Sequence, residues 1–323
     1  MKLSNDQIRS IVVGAAYAEE SDGGISFFRF SKKELDFYES VSFDFFMKAH
    51  AASGIRLEFT TNSRRLSLEA TTAPGSSRAF CHMDLYRDGL FFARVGANSA
   101  TASLTAEFDL GEGEKEIKIY LPWTASVLLT SMTLDDGATL TPVKKSRSML
   151  IYGDSITQGY DTMHPSLSYA NLLADALDAD AQNKAIGGEF FRPDLAEMSE
   201  GDPDIITVAY GTNDWSKKTR EEFEKNSEEF YRILSEKYPR AKIFAITPIW
   251  RADCDRITGV GEFSHVPKHI ERITAALPNV TVIHGFDFVP KEPALFFDRY
   301  LHPNENGFIP YFSGLYAEMK KYL

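Results

Sequence analysis

The hydrophobic pattern of this chain changes period part-way along, and that change limits the folds open to it. Up to about residue 145, apolar and polar side chains alternate. Gly54-Ile55-Arg56-Leu57-Glu58-Phe59, Arg65-Leu66-Ser67-Leu68-Glu69 and Glu116-Ile117-Lys118-Ile119-Tyr120-Leu121 read this way, as does Ser40-Val41-Ser42-Phe43-Asp44-Phe45. A period of two puts one face of a segment on a core and the other in water, the pattern of antiparallel sheets. Turn formers separate the runs: Asp22-Gly23-Gly24, Pro74-Gly75, Gly111-Glu112-Gly113 and Asp136-Gly137. Asp88-Gly89, between Asp84–Arg87 and Leu90-Phe91, predicts a tight hairpin. Short strands with almost no helical signal predict an all-β, jelly-roll-like sandwich over residues 1–145.

Near Thr141-Pro142-Val143-Lys144-Lys145-Ser146 the pattern changes. Apolar strands are expected at Met149–Tyr152, Ala181–Ile186, Ile205–Ala209, Ala241–Ile246 and Val280–Ile283. Helical patterns fall at Tyr169–Leu177, Glu221–Lys237, His265–Leu277 and Gly307–Leu323. Alternating strands and helices imply a mainly parallel sheet covered on both faces, so residues 146–323 read as an α/β domain. In such sheets the reactive groups lie beyond the carboxyl ends of the strands. A length of 323 residues accommodates two domains of this kind.

Four short blocks fall at those strand ends or just before the last helix. Gly153-Asp154-Ser155-Ile156-Thr157-Gln158-Gly159 follows the first strand. A serine on a sharp strand-to-helix turn can present its hydroxyl at the sheet edge, with its own N–H turned towards a forming oxyanion. Asp and Ser also cap helices, so a plain capping turn is the competing reading. Asn183-Lys184-Ala185-Ile186-Gly187-Gly188-Glu189 offers a backbone N–H at a glycine, or simply a strand-end turn. Gly211-Thr212-Asn213-Asp214 offers the Asn213 amide, although Asn and Asp are also common turn residues. Asp298-Arg299-Tyr300-Leu301-His302-Pro303-Asn304 offers an imidazole with a carboxylate nearby, or a helix start.

Taken together, the blocks complete an acyl-transfer site. Ser155 attacks, His302 takes its proton and returns it to the leaving alcohol, and Asp298 fixes the imidazole. The Ser155 N–H, the Gly188 N–H and the Asn213 amide hold the oxyanion. GDSITQG, NKAIGGE, GTND and HPN resemble, in order, the four blocks of the SGNH/GDSL hydrolase superfamily, across about the second half of the chain. That resemblance implies a flavodoxin-like three-layer α/β/α domain with Ser155, Gly188, Asn213 and His302 as its four named positions. Gly188 rather than Gly187 matches because the family's glycine usually precedes an acidic residue, here Glu189. The first half is similar, in a general way, to the β-sandwich that precedes this domain in some carbohydrate esterases.

One departure concerns the acid. The family usually places it three residues before the histidine, where this chain has Arg299; Asp298 lies four before. A helical coil would bring i and i+4 together, and a loop one residue longer would serve as well. Failing both, a backbone carbonyl would orient His302 and leave a Ser-His dyad.

The expected activity is a serine esterase acting on short acyl groups, O-acetyl above all, carried by carbohydrate. Its partners are then a small-molecule or oligosaccharide ester. An acyltransferase or thioesterase using the same residues is one alternative; a glycan-binding protein with a vestigial hydrolase half is another. Aromatic residues make up 13% of the chain, and those near the blocks are candidates to wall a sugar or acyl pocket. Trp215 and Arg192 are the two expected substrate contacts; Tyr86 and Trp123 are candidate exposed aromatics in the sandwich. Since His302 must be neutral to act as base, activity is expected to fall at acid pH through a midpoint of ~6–7.

Composition excludes other classes. The net charge is −11 with no dense basic run, which disfavours nucleic acid and anionic membranes as partners. There are 17 basic and 19 acidic residues through Arg147, against 18 and 27 after it, which favours neutral or cationic substrates for the second domain. Cys81 and Cys254 are far apart and in no CxxC pattern, so a disulfide framework or thiolate zinc site is not expected. His265 and His269 share a helix face at i, i+4 but lack an evident third ligand, so neither a metal nor another cofactor is expected. No charged and apolar leader opens the sequence, and the expectation is a cytoplasmic protein.

Overall fold

A computed structural model describes residues 1–323. The chain forms two compact units, Met1–Lys145 with His164–Ser166, and Ser146–Met163 with Leu167–Leu323.

The first unit is a sandwich of two antiparallel sheets. One runs in the order Tyr17–Ser21, Gly24–Phe28, Ala125–Leu134, Arg65–Pro74, Ala102–Asp109. The other runs Val12–Val13, Arg56–Thr61, Lys115–Tyr120, Cys81–Arg87, Leu90–Ala97, with Thr141–Pro142 also paired to Arg56–Thr61. Alternation delivers one face of each strand to the core: in Arg65–Pro74, Leu66, Leu68 and Ala70 are buried and join Ile25, Phe59, Ile117 and Val127. Asp88 and Gly89 both have positive φ, 52° and 75°, the twist a two-residue hairpin loop requires.

Three helices interrupt this unit, and two of them meet where a strand was expected. Ser31 opens the helix Lys32–Val41 with a capping box: its Oγ accepts from the Glu34 N–H at 3.3 Å, and Glu34 Oε2 accepts from the Ser31 N–H at 2.7 Å. A second helix, Phe43–Ala49, follows at once, and Asn5–Ser10 lies near the start of the chain. Within Ser40–Phe45 the apolar members of the alternation are not core: Val41 is 40% and Phe43 80% exposed. The buried residues of the first helix are Glu34, Leu35 and Tyr38, at helical spacing. The local capping signal therefore outweighs a short period-two pattern.

The sandwich also buries charge. Arg56 and Glu58 are 0% exposed, with Arg56 Nε 2.8 Å from Glu58 Oε1, and Lys145 Nζ pairs with Glu58 Oε2. Such pairs persist only while every charge is compensated.

The second unit is a five-stranded parallel sheet. Its strands are β1 (Arg147–Gly153), β2 (Ala179–Asn183), β3 (Ile205–Ala209), β4 (Lys242–Ile246) and β5 (Val280–Ile283), in the order β2-β1-β3-β4-β5. This is the flavodoxin-like order, whose switch point lies between β1 and β3. The helices are α1 (Ser155–Gln158), α2 (Tyr169–Ala176), α3 (Pro193–Met198), α4 (Thr212–Lys217), α5 (Arg220–Lys237), α6 (His265–Thr274) and α7 (Glu305–Met319). Met149, Ile151, Leu173, Phe244, Ile246, Phe308 and Leu315 belong to one core. Strand β2 ends at Asn183, short of the expected Ile186, because the Asn183 side chain leads the chain out of the ladder. Its Oδ1 accepts from the Ala185 N–H at 3.0 Å, and its Nδ2 donates to the Thr157 carbonyl at 2.9 Å.

Glu58→Leu strips two buried cations of their shared carboxylate and is expected to cost ~3–5 kcal/mol of stability. Chemical denaturation of the variant beside wild type reads the difference; a loss below ~1 kcal/mol would show that the charges are solvated in solution.

Candidate active site

Strand β1 delivers the first site residue. Gly153 ends the strand, and a Cβ there would stand 2.1 Å from Thr157 Oγ1, so the chain can fold back only over a glycine. Asp154 caps α1, its Oδ1 accepting from the Ile156 N–H at 2.9 Å, and Gly159 closes the turn at φ 104°. Ser155 thus opens a one-turn helix directly beyond the sheet. Its Oγ lies 2.8 Å from His302 Nε2.

His302 comes from the opposite end of the unit's sequence. Its loop is closed by pairing of Phe296 with Pro303 and by the Phe297 N–H donating to the His302 carbonyl at 2.8 Å. Asn304 then caps α7, accepting from the N–H groups of Asn306 (3.0 Å) and Gly307 (3.2 Å). Asp298 organises the loop interior. Oδ1 accepts from the backbone N–H groups of Tyr300 (2.9 Å), Leu301 (2.7 Å) and His302 (3.1 Å), while Oδ2 meets His302 Nδ1 at 2.8 Å. Partial burial pushes the Asp298 carboxyl up, but the bonds from His302, Leu301 and Tyr300 outweigh it and hold the group well below the usual carboxylate range.

This geometry accounts for the acid standing four residues before the histidine. The segment is a loop rather than a helix: Arg299 has φ 59°, a left-handed conformation no α-helix contains. The structure therefore brings Ser155, His302 and Asp298 into one hydrogen-bonded line.

The remaining blocks arrive at the same end of the sheet. Gly188 has φ 95°, and Gly187 donates its N–H to Gln158 Oε1 of α1 at 2.7 Å, tying this turn to the one that carries Ser155. Asn213, in the first turn of α4, donates Nδ2 to the Glu189 carbonyl at 2.9 Å, which leaves its second amide hydrogen. Neither the Ser155 nor the Gly188 N–H is used by another protein group. Arg251 supports the Asn213 turn from behind: it donates to Thr212 through its carbonyl (3.0 Å) and Oγ1 (3.1 Å), and to the Tyr300 hydroxyl at 3.2 Å. No sequence signal marked Arg251; it lies in a loop outside the four blocks.

Of the two expected substrate contacts, Trp215 is placed differently. Trp215 is 0% exposed, donates its indole N–H to the Gly261 carbonyl at 2.9 Å, and is covered by Arg251 at 4.9 Å and Phe263 at 5.0 Å. Fully buried and with its polar atom engaged, it is a packing residue and offers no exposed stacking surface. Arg192 pairs with Glu189 at 3.1 Å and lies 4.8 Å above the Phe190 ring. It braces the residue that holds Asn213. In the sandwich, Trp123 is buried and Tyr86 half-buried. His265 and His269 do gain a third neighbour, Glu224, with His265 Nε2 2.8 Å and His269 Nδ1 3.9 Å from its Oε1. However, an Arg272 N–H points at His269 Nδ1 from 3.0 Å, a cation where a metal would need the lone pair.

A cavity of about 500 Å³, lined by residues such as Cys254, Ile257, Phe263 and Phe286, includes none of Ser155, Gly188, Asn213, Asp298 and His302.

Residues 151–308 match the family model of the GDSL-like lipase/acylhydrolases. The second unit is a GDSL-type hydrolase domain. Over the whole chain, solved structures share its fold. A salicylyl-acyltransferase from a tetracycline biosynthetic pathway is 21% identical, with a TM-score of 0.81 over 96% of this chain and 94% of its own. A family two carbohydrate esterase from Clostridium thermocellum is 17% identical (TM-score 0.66; 96% and 98% covered). An acetyl xylan esterase from the rumen bacterium Butyrivibrio proteoclasticus is 15% identical (TM-score 0.67; 99% and 98% covered). No curated protein matches the chain in sequence. The GDSL-type fold supports acyl-ester hydrolysis or acyl transfer. No helix is long and apolar enough to cross a membrane.

Around Ser155 in this GDSL-type domain, burial raises two carboxyls. Asp154 is pushed up to about 6, its capping bond opposing the desolvation. Asp214 is pushed up to about 7; Oδ1 accepts from the Phe191 N–H at 3.1 Å, while Oδ2 is buried without a partner. A carboxyl that binds its proton more tightly folded than unfolded makes stability fall as pH rises from ~4 to the folded value. Asp214→Asn keeps an oxygen for the Phe191 N–H and removes the charge. The gain in melting temperature over wild type is expected to grow between pH 4 and 7 and level off above; a gain independent of pH would show that Asp214 does not titrate there.

Proposed function

We propose that this protein is a serine esterase that removes short acyl groups, acetyl first among them, from carbohydrate. The observation that carries the reading is the line Ser155 Oγ, His302, Asp298, with 2.8 Å at each joint. In this reading Ser155 Oγ attacks the ester carbonyl as its proton passes to His302 Nε2. The carbonyl oxygen becomes an oxyanion that accepts from the Ser155 N–H, the Gly188 N–H and the free hydrogen of the Asn213 amide. Collapse breaks the ester C–O bond, and the proton on His302 goes to the departing alcohol. Water then repeats the sequence on the acyl-serine, giving a carboxylic acid and free Ser155. Asp298, held ionised by its bonds, orients the ring and stabilises the imidazolium that forms in each half. Carbohydrate as the alcohol is favoured by the fold shared with a family two carbohydrate esterase and an acetyl xylan esterase.

Acyl transfer is a second reading, favoured by the fold shared with a salicylyl-acyltransferase along nearly the whole chain. The two differ only in what attacks the acyl-serine.

Short-chain aryl esters and acetylated xylooligosaccharides, with and without added sugar acceptors, test both readings by following released acid and acylated acceptor. Wild type is expected to release acid, and Ser155→Ala to lose at least ~10³-fold in kcat. Asp298→Ala is expected to lose most of the activity with KM little changed; near-normal turnover would leave a Ser-His dyad. Equal activity of Ser155→Ala and wild type would refute the assignment of the nucleophile, and acylated acceptor in place of free acid would favour transfer.

A further inference from the structure

The chain around Ser155 supplies a second carboxylate that the four blocks do not predict. Asp161 lies two residues beyond Gly159, is 0% exposed, and places Oδ2 3.5 Å from His302 Nδ1. It does so at φ 73°, a left-handed conformation that a residue with a Cβ adopts at a cost. Its neighbours are fastened to the first residue of α7. Thr162 Oγ1 donates to Glu305 Oε1 at 3.3 Å, and the Met163 N–H donates to the same oxygen. Glu305 follows His302 by three residues, so one carboxylate fixes the Asp161 segment to the element that positions the imidazole.

We infer that Asp161 is a second acid for His302, a positioning residue that shares the Nδ1 edge with Asp298 and stabilises the protonated ring. The inference rests on the reading of His302 as the general base. The geometry divides the work. Asp298, at 2.8 Å, is the hydrogen-bond acceptor; Asp161, at 3.5 Å, lies beyond a good bond and acts through its charge, which burial screens little. A positive imidazolium forms in both halves of the reaction, so a fixed negative charge beside Nδ1 lowers both barriers. Asp161 also gives Nδ1 an alternative acceptor when Asp298 is removed.

The other groups around the ring do not duplicate this. Ser155 faces Nε2, and the Tyr160 ring lies 5.7 Å away, centroid to centroid. Asp154 acts on His302 through space from the nucleophile turn and bonds the Ile156 N–H. Glu305 is taken up by Thr162 and Met163. Tyr300 and Arg299 lie in the histidine's own loop, where the Tyr300 hydroxyl accepts from Arg251. Only Asp298 and Asp161 pair with Nδ1.

The test reads the ring directly. Carbon-bound imidazole protons of His302, assigned by their loss in His302→Gln, are followed by NMR from pH 4 to 9 in wild type, Asp161→Asn, Asp298→Asn and the double variant. Asn adopts left-handed backbone readily, and Asp161→Gly relieves the φ altogether, so one of the two variants keeps the fold. The titration midpoint is expected to fall by ~0.5 or more in Asp161→Asn, about threefold in proton affinity, and further in the double variant. The acid limb of kcat/KM should move the same way, with Asp298→Asn retaining at least ~10-fold more turnover than the double variant. A midpoint within ~0.1 of wild type, with the double variant no worse than Asp298→Asn, would overturn the inference. The ring titration needs no substrate. A wild type inert on every ester would therefore refute the proposed function while the midpoint still decided the role of Asp161.

Discussion

The two oxygens of Asp298 do different work, and the arrangement of the site follows from that division. Oδ1 gathers three consecutive backbone N–H groups and thereby shapes the loop; Oδ2 holds the imidazole that the loop carries. Loop shape and ring orientation are in this way set by one carboxylate. Its four donors outweigh the cost of partial burial, so the group stays ionised where a lone carboxylate would not. The left-handed Arg299 is the backbone cost of wrapping the chain tightly enough for all four bonds.

The opposite arrangement holds around the nucleophile turn. Asp154 and Asp214 are buried with few donors, and desolvation raises them to about 6 and about 7. The same residue type is thus driven in opposite directions within one site by the number of N–H groups offered to it. In the proposed reaction the groups that would face a forming oxyanion are backbone N–H groups and one amide, which carry fixed dipoles and need no counterion. Their placement depends on glycine at two points: the close approach of Gly153 to Thr157, and the positive φ of Gly188, 95°.

Much of this was legible in the sequence, because strand-end blocks encode local conformation. The period change located both kinds of sheet, and each of the four blocks sits where a strand ends or the last helix begins. What escaped were one local signal that a competing pattern hid and features set by tertiary partners. The helix Lys32–Val41 was announced by Ser31 and Glu34, but the alternation at Ser40–Phe45 masked it. Trp215 beside the Asn213 block looked like a ligand platform; its burial depends on Arg251 and Phe263, both distant in sequence. Arg251 had no signal at all, since an arginine in an irregular loop carries none until its acceptors are known.

The spacing of the acid shows why a motif read as a string can mislead. A count of residues from acid to histidine measures path length, whereas the hydrogen bond depends on the direction in which Oδ2 meets Nδ1. One additional residue is absorbed if it takes a conformation that reverses the chain, and Arg299 at φ 59° does that. Once the loop rather than the helix is the frame, a second acid need not lie in the same segment. Asp161, 141 positions before His302, reaches the same nitrogen because Glu305 joins the two segments. Charge near Nδ1 is thus set by the whole end of the sheet. The residue four before the histidine is one of its sources.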